Sequence, residues 1–447
     1  MDADSAGREA LGEQKRAGLE EKIKQRRFGD ATPALTLAMA SARIFRSLNL
    51  VNSISPRAYW AALFALAASV HAAYDPPVGY YSTATGLSGA ALKAALHNRI
   101  KGHTVLPYTS GSTDVWDALT VLDADPNNSA NVLLLYSGES RSSTLREGSA
   151  SGNTWNREHV WALSHGPGST GTVPGTDVFH LFACDTTVNA NRGNQPYDEV
   201  SFSPDPEASS SGSNGSSWNP RDADKGVIAR ALLYMAVRYE SDDSVDLELA
   251  ETAGSTTMGK LSTLLAWHRK FPPTEAERKR NDTIYTTFQR NRNPFIDNPL
   301  FGDQVFSGDT PAGAWKRARF TTAQLANAAV SGDAVDPDGD GRPNRLEYLL
   351  NTNPLLAESS GEAATTVECL PPTVAGGVAR LALSHRRLRY ATDLVVTYEV
   401  SADCVTWTAF NPTATTTAYV DGLMDRVTVE TPFTGERRFL RVRLDRP

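Results

Sequence analysis

The sequence predicts an α+β protein, a mostly helical first domain followed by a small all-β, sandwich-like C-terminal domain. Three observations predict it. Apolar residues recur at helical spacing before residue 300, as in Leu92, Leu96 and Ile100. Composition changes at Gly308, where Thr310-Pro311-Ala312-Gly313 reads as a linker and an acidic loop follows. Beyond residue 365 the chain reads as β-type runs separated by turns: VARLALSH, LVVTYEV, VTVETPF and RRFLRVRL. The expected division is 1–72 as an N-terminal extension, 73–307 as the first domain, 308–360 as a linker with the acidic loop, and 361–447 as the β-rich domain.

Composition sets the outer limits. A length of 447 residues suffices for two or three domains with at least one sizeable core. The 33 glycines and 25 prolines point to many turns and long loops. A formal charge of -7 argues against an obligate nucleic-acid partner, but not against an enzyme that meets phosphate in a local basic cleft. Three cysteines do not make a disulfide scaffold.

Residues 1–56 include a charged run that supports no long apolar face. The next stretch, SPRAYWAALFALAASVHAAYDPP, has the layout of a secretory signal peptide. Arg57 is its positive flank, Ala58 to Val70 its apolar run, and Val70 and Ala72 the small-residue cleavage positions. The run is too short for a comfortable membrane span; the competing reading is a buried helix. Its depth suggests a start downstream of Met1, such as Met39, or a non-ATG start. The mature chain is expected to begin near Ala73 or Tyr74 and to carry no membrane span.

In the first domain, Ser88 is a candidate N-cap for a helix through Leu92, Leu96 and Ile100. TDVWDALTVL (113–122) reads as a second helix and VLLLY (132–136) as a strand. Ser137 to Asn153 is a polar surface loop that runs into the most chemically dense stretch of the chain.

That stretch, Trp155 to Asn194, holds three histidines, three carboxylates, four asparagines and two arginines. The inventory suits metal-assisted attack on a phosphate ester. Such a reaction needs a base for water, which neutral imidazole provides. It also needs a cation beside the phosphate, and magnesium held by one carboxylate and one amide keeps most of its own waters. Arg157 to Val160 suits a strand, and Asp185 or Thr186 can cap a helix running to Asn191. Glu158 and His159 are adjacent, so on a regular strand they face opposite ways. Both reach one site only where the strand bends or ends. His165 and His180 read as structural, and Cys184 as a small buried hydrophobe rather than a nucleophile.

WNREHVW followed by DVFHLFACDTTVNANRGNQPYD resembles the bacterial endonuclease I family, one of the ββα-metal (His-Me finger) nucleases. Further blocks extend the likeness over about residues 79–300: YYSTATGLSGAALKAALHNRIKGHTVLPY, KGVIARALLYMAVRY, LLAWHRKFP and ERKRNDTIYTTFQRNRNPFIDNP. The resemblance implies a helical nuclease domain built around a ββα-metal core, with His159 as general base. It implies Glu158 and Asn189 as ligands of Mg²⁺ (or Mn²⁺), Arg192 near the scissile phosphate, and Asn194 as a loop-ordering residue. One departure stands out. Phe179 takes the place of the first histidine in the D-L-H-H-L pattern of many relatives, a change expected to alter local packing rather than activity.

Ser203 to Asp224 is a long polar excursion, and Val227 to Tyr239 a strongly apolar helix expected at the centre of the core. Thr274 and Glu277 form a capping box for a helix over 275–288. Arg278, Lys279 and Arg280 on that helix suit a solvated face, or the approach to a substrate backbone. Asn293 and Asp297 are expected to satisfy backbone groups in NRNPFIDNP.

In the tail, Asp336, Asp338, Asp340, Asn344 and Glu347 occupy positions 1, 3, 5, 9 and 12 of an EF-hand-type loop with Gly341 at 6. Arg342 at position 7 offers its carbonyl. The stretch resembles DPDGDG calcium modules of secreted bacterial proteins, which implies bound Ca²⁺ that stiffens a joint. Cys369 and Cys404 both lie in the β-rich part and, in an exported chain, are candidates to pair. The whole implies a secreted or periplasmic, metal-dependent endonuclease of low sequence specificity, with DNA as substrate and RNA as a second candidate. Its products would be 5′-phosphate ends, with no obligate protein partner. The alternative is an extracellular calcium-dependent binding or adhesion protein with an inactive nuclease-like domain.

Overall fold

The computed structural model describes residues 74–446 apart from 150–151, 253, 255, 359–364, 373–376, 422 and 434–437. The expected signal segment lies outside the described residues. Leu92, Leu96 and Ile100 line the buried face of α1 (Gly89–Ile100). Ser88 stands at its N-cap but makes no side-chain cap bond. Helix α2 (Val115–Leu122) is fixed at its start by a reciprocal capping box between Asp114 and Asp117.

The expected strand at 132–136 lies several residues earlier. β1 (Ala124–Asp125), β2 (Asn128–Leu133) and β3 (Ser140–Ser142) form a small antiparallel sheet. Tyr136 and Gly138 take positive φ, so the chain turns where VLLLY ends and cannot stay extended. Two further strands, β4 (Trp155–His159) and β5 (Leu181–Asp185), pair antiparallel, and α3 (Thr186–Arg192) follows β5 without a loop. Asp185 caps that helix, accepting from Thr187 N and Val188 N.

The polar excursion is ordered sheet: β6 (Ser203–Asp205), β7 (Ala208–Ser213) and β8 (Trp218–Asn219). Helix α4 (Asp222–Arg238) then runs through the middle of the domain, buried on nearly every side. Its residues Ile228, Leu232 and Met235 share one core with Leu92, Leu96 and the aromatic rings Trp155 and Trp161. A short parallel pair, β9 (Glu248–Ala250) and β10 (Thr257–Lys260), precedes α5 (Leu261–Lys270). The helix expected over 275–288 is α6 (Glu275–Thr283), capped by Thr274 and continued by a π-helical turn through Phe288. Among the described residues, no helix is long and apolar enough to cross a membrane.

After α7 (Pro294–Asp297) and α8 (Phe301–Phe306), the residues read as a linker open α9 (Pro311–Arg317). Thr310 is its N-cap and Pro311 its first residue, a helix-start signal that composition disguised. Short helices α10 (Thr322–Leu325) and α11 (Ala328–Ser331) lead to the acidic loop and α12 (Asn344–Leu350).

The C-terminal region is all antiparallel sheet. One four-stranded sheet has the order β11-β12-β16-β15, from β11 (Thr366–Leu370), β12 (Ala379–Leu388), β15 (Ala414–Tyr419) and β16 (Met424–Phe433). The other has the order β14-β13-β17, from β13 (Val395–Ser401), β14 (Thr408–Ala409) and β17 (Phe439–Asp445). Leu383, Val427 and Val429 of the first pack against Tyr398, Leu440 and Val442 of the second, which makes the sandwich. Cys369 lies on β11 and Cys404 in the turn that joins β13 to β14 of the other sheet, and both are free, exposed thiols.

A second core joins α9, α12 and the sandwich through Trp315, Tyr348, Leu388, Leu394 and Met424. Residues 311–350 therefore pack as part of the β-rich half. Polar contacts tie that half to the first domain, among them an ion pair between Arg317 and Asp303 at 4.0 Å. Arg389 pairs with Asp75 at 2.7 Å, and the Tyr390 hydroxyl donates to Asp297 O at 2.6 Å.

Candidate active site

The β4–β5 hairpin and α3 build the site. β4 keeps regular register to its last residue, His159 opposite Leu181. Period two then places Asn156 and Glu158 on one face, Arg157 and His159 on the other. The side-chain partners follow this division. On the helix side, Asn189 Nδ2 donates to Asn156 Oδ1 at 2.8 Å, and Arg192 Nη1 lies 3.1 Å from Glu158 Oε1. Asn189 and Arg192 are three apart on α3, so two helix residues match two strand residues along one strip.

Glu158 is 1% exposed and also accepts the Tyr136 hydroxyl at 2.7 Å on Oε1. Burial raises its carboxyl above the usual range, against the pull of Arg192. Arg192 itself is 1% exposed. It donates to His159 O, Val160 O and Gly193 O and lies 4.7 Å from the Tyr197 ring centroid. The guanidinium expected beside a phosphate lies behind the strand, where backbone carbonyls and Glu158 take its Nη donors and its Nε is buried without a partner among the described residues.

On the other face, His159 Nε2 is 3.0 Å from Gly175 O. A carbonyl only accepts, so Nε2 carries the proton and Nδ1 the lone pair in the neutral ring. His180 Nε2 makes the same bond to Pro174 O at 2.8 Å. Burial, with His180 adding to it, pushes His159 down to about 3. His180 falls to about 4, again through burial and against Asp177. Gly175 has no room for a side chain, since a Cβ there would lie 2.0 Å from Ser169 O.

Around the site, Asp177 anchors the turn before β5, accepting from the hydroxyls of Tyr234 and Tyr239, each at 2.9 Å. Phe179 packs against Tyr234, ring centroids 4.5 Å apart, a local packing role for the residue that departs from the family pattern. Arg280 braces β5, donating to Asp123 and to the carbonyls of Val178 and Leu181. Asn194 Nδ2 reaches Ser164 Oγ at 3.2 Å, and Cys184 is fully buried. Asn293 caps α7 as expected. Asp297 instead takes side chains: Arg292, Tyr81 and Asn281.

Residues 88–300 match the family described as endonuclease I. A protein of Bacillus subtilis (strain 168) described as an extracellular ribonuclease is 46% identical over 275 residues, covering 60% of this chain and 92% of its own. A second, from Bacillus amyloliquefaciens and described in the same words, is 48% identical over 231 residues, 51% of this chain and 78% of its own. The chain belongs to the endonuclease I family. It is thus classed with the endonuclease and ribonuclease enzymes, and the β4–β5–α3 unit falls inside the endonuclease I match. The two faces of β4 are therefore the surfaces on which its chemistry has to be sought.

Among the described residues, two acidic clusters beyond this unit could hold a divalent ion. Asp336, Asp338 and Asp340 present oxygens within 4.8 Å of one another, as do Glu240, Asp246 and Glu248. Lys93 pairs with Glu240 and Glu248, so the second cluster already has its cation. In the first, Gly341 holds φ +89°, a value that spares only glycine from strain, and Asp336 accepts from Gly339 N and Gly341 N. Arg342 turns its side chain back to Asp340 and Glu358. Asp338 Oδ2, Asn344 Oδ1 and Glu347 Oε2 are buried without a partner.

Sequence reasoning passed over Arg157, Tyr108 and Gly175. The signal for Arg157 was available, since a residue two before His159 on a strand must share its face. Gly175 carried none, because the carbonyl that holds His159 is a backbone atom.

Proposed function

We propose that this protein is a secreted, metal-dependent endonuclease that hydrolyses phosphodiester bonds of DNA or RNA with low sequence specificity, leaving 5′-phosphate ends. The observation that carries the reading is the fixed tautomer of His159 at the end of β4 in an endonuclease I chain. Nδ1 accepts a proton from an attacking water, while Gly175 O keeps Nε2–H in place. Burial, with His180 adding to it, holds the proton affinity of His159 low and favours the neutral ring. A phosphate anion bound nearby raises that affinity when the proton must be taken.

Glu158 and Asn189 suit a hydrated Mg²⁺ or Mn²⁺. Asn189 spends its amide hydrogens on Asn156 and keeps its carbonyl oxygen, and Glu158 Oε2 carries neither Tyr136 nor Arg192. β4 ends at His159, so the ion side and the base side meet one phosphate around the end of the strand, where the ion would supply positive charge to the phosphate and the leaving oxygen. Arg192 acts through Glu158, holding the carboxylate and the strand end in position.

Ca²⁺ fits the 336–347 loop, with ligands Asp336, Asp338, Asp340, the Arg342 carbonyl, Asn344 and Glu347. Support comes from the three buried, unpartnered oxygens there. Burial, with Asp338 and Asp340 beside it and Arg342 acting against it, pushes Glu347 up to about 7, an environment in which a bound cation would favour the carboxylate. α12 begins inside this loop and shares the second core, so the ion would stiffen the β-rich half. Both relatives are described as extracellular ribonucleases, which supports the reading of an exported enzyme with RNA beside DNA as a candidate substrate.

The test is incubation of the mature chain with plasmid DNA and with RNA, in Mg²⁺ and in EDTA, alongside His159→Ala. Cleavage by the wild type that EDTA and His159→Ala both abolish is expected. Undiminished cleavage by His159→Ala would remove His159 as the base. No cleavage with any divalent ion would leave the calcium-dependent binding protein as the better reading.

A further inference from the structure

On the His159 face of β4, cations and aromatic rings alternate in an unbroken row. The Tyr108 ring stacks on His159, centroids 5.7 Å apart and planes 22° from parallel. The Arg157 guanidinium lies 3.4 Å from the Tyr108 centroid and 4.0 Å from that of Trp116. Arg146 lies 5.5 Å from Trp116 on its own side. Trp116 is held from below by the buried Trp155 ring, centroids 5.0 Å apart. Tyr108, Trp116, Arg157 and Arg146 are all half-buried, so each keeps an edge toward solvent.

Among the described residues, no carboxylate forms an ion pair with Arg157. Its Nη1 donates to Tyr108 O and to Thr109 Oγ1, and its Nε is buried without a partner. Asp114 and Glu147 act on it only at longer range. Asp114 is already committed to Asp117 N and Ser110 N. Arg146 has Thr120 Oγ1 at 3.0 Å and Asp117 at 3.7 Å, which leaves it partly compensated. A guanidinium wedged flat against two rings is pre-oriented, and its in-plane donors suit phosphate oxygens.

We propose that the Tyr108–Arg157–Trp116–Arg146 row is the subsite that binds the phosphodiester strand. Arg157 meets the phosphate under attack beside His159, and Arg146 meets a neighbouring phosphate across Trp116. The inference rests on the nuclease reading and deepens it. It gives the arginine role that Arg192 cannot reach to a residue on the same strand face as the base.

The experiment uses the full chain and a fluorescein-labelled single-stranded 12-mer. Binding is followed by anisotropy in EDTA over a salt series, and cleavage in Mg²⁺ gives kcat and KM. Arg157→Met is expected to lower kcat/KM by about 100-fold or more, as losing a donor at the developing charge does. Arg146→Met is expected to raise KM by about 5–10-fold, leave kcat within about 2-fold, and reduce the salt slope by about 0.7–1. Lys279→Met, on the solvated face of α6, is the control and should leave binding unchanged. Wild-type salt slopes for Arg146→Met and Arg157→Met, with cleavage intact, would overturn the subsite and leave the nuclease reading standing. A loss confined to Lys279→Met would move the strand to α6. A wild-type chain that neither binds nor cuts the 12-mer ends both readings. If Arg157→Met fails to fold, Arg146→Met carries the binding test alone.

Discussion

The imidazoles of His159 and His180 lie 5.5 Å apart, and carbonyls of two consecutive residues hold them. Gly175 O takes His159 and Pro174 O takes His180. One short turn thus aims two rings, and the base inherits its geometry from a peptide unit rather than from a carboxylate.

Gly175→Ala tests that dependence. The new Cβ would meet Ser169 O, so the turn must shift and carry the His159 acceptor with it. We expect a loss in kcat of about 100-fold, the scale on which small misplacements act, with substrate binding largely retained. Wild-type kcat in a folded Gly175→Ala protein would show that the carbonyl does not position the base.

The pH dependence follows from the buried histidines. Burial holds His159 and His268 down to about 3 and His180 to about 4 in the folded chain, against 6.5 for a free ring. The unfolded chain therefore binds more protons below pH 6.5. Their contribution to stability is fully present above that pH and is lost as pH falls toward 4, by at most about 4 kcal/mol per pH unit for three groups together. Thermal melts from pH 7 to 4 should show this fall. The kcat/KM profile, measured where the chain stays folded, should lack an acidic limb near 6.5. A clear limb at that pH would mean that His159 is more open in solution.

Glu158 and Arg192 form a buried pair, so removing one partner strands the other. Arg192→Met should cost about 3–5 kcal/mol in urea unfolding. Combining it with Glu158→Gln should recover much of that stability while leaving cleavage absent. An Arg192→Met protein of wild-type stability would argue that the pair is solvated.

Calcium should act on the β-rich half alone. At a hundred times its dissociation constant, the ion should add about 2.7 kcal/mol to the stability of that half. Glu347→Gln should remove the gain and leave Mg²⁺-dependent cleavage intact. Equal stability in Ca²⁺ and EGTA would leave the loop as an acidic turn.

Much of this was legible in the sequence, for identifiable reasons. α1, α4 and strands β12, β13, β16 and β17 follow from apolar spacing, and α3 from Asp185 as its cap, whereas β11, β14 and β15 are mostly exposed and carry no such spacing. The opposed faces of Glu158 and His159 follow from the period of a strand. The fate of Arg192 did not, because a motif gives a position along the chain but not the direction a side chain takes. Nor did helix α9, whose Thr-Pro start was masked by residues that also suit a linker. The Cys369–Cys404 pairing failed for a similar reason, since which strand joins which sheet is set by long-range register.

The contact between Asp75 and Arg389 spans 314 positions of the chain. A polypeptide made from its N-terminus cannot close it until the first domain, helices α9 to α12 and strand β12 have all emerged. The first domain must therefore fold with Asp75 waiting, and the seam between the halves belongs to the slow, late part of folding, where distant contacts form. Before that step the docking faces of both halves are open to water, and it is then that a protease or another unfolded chain has its best opportunity.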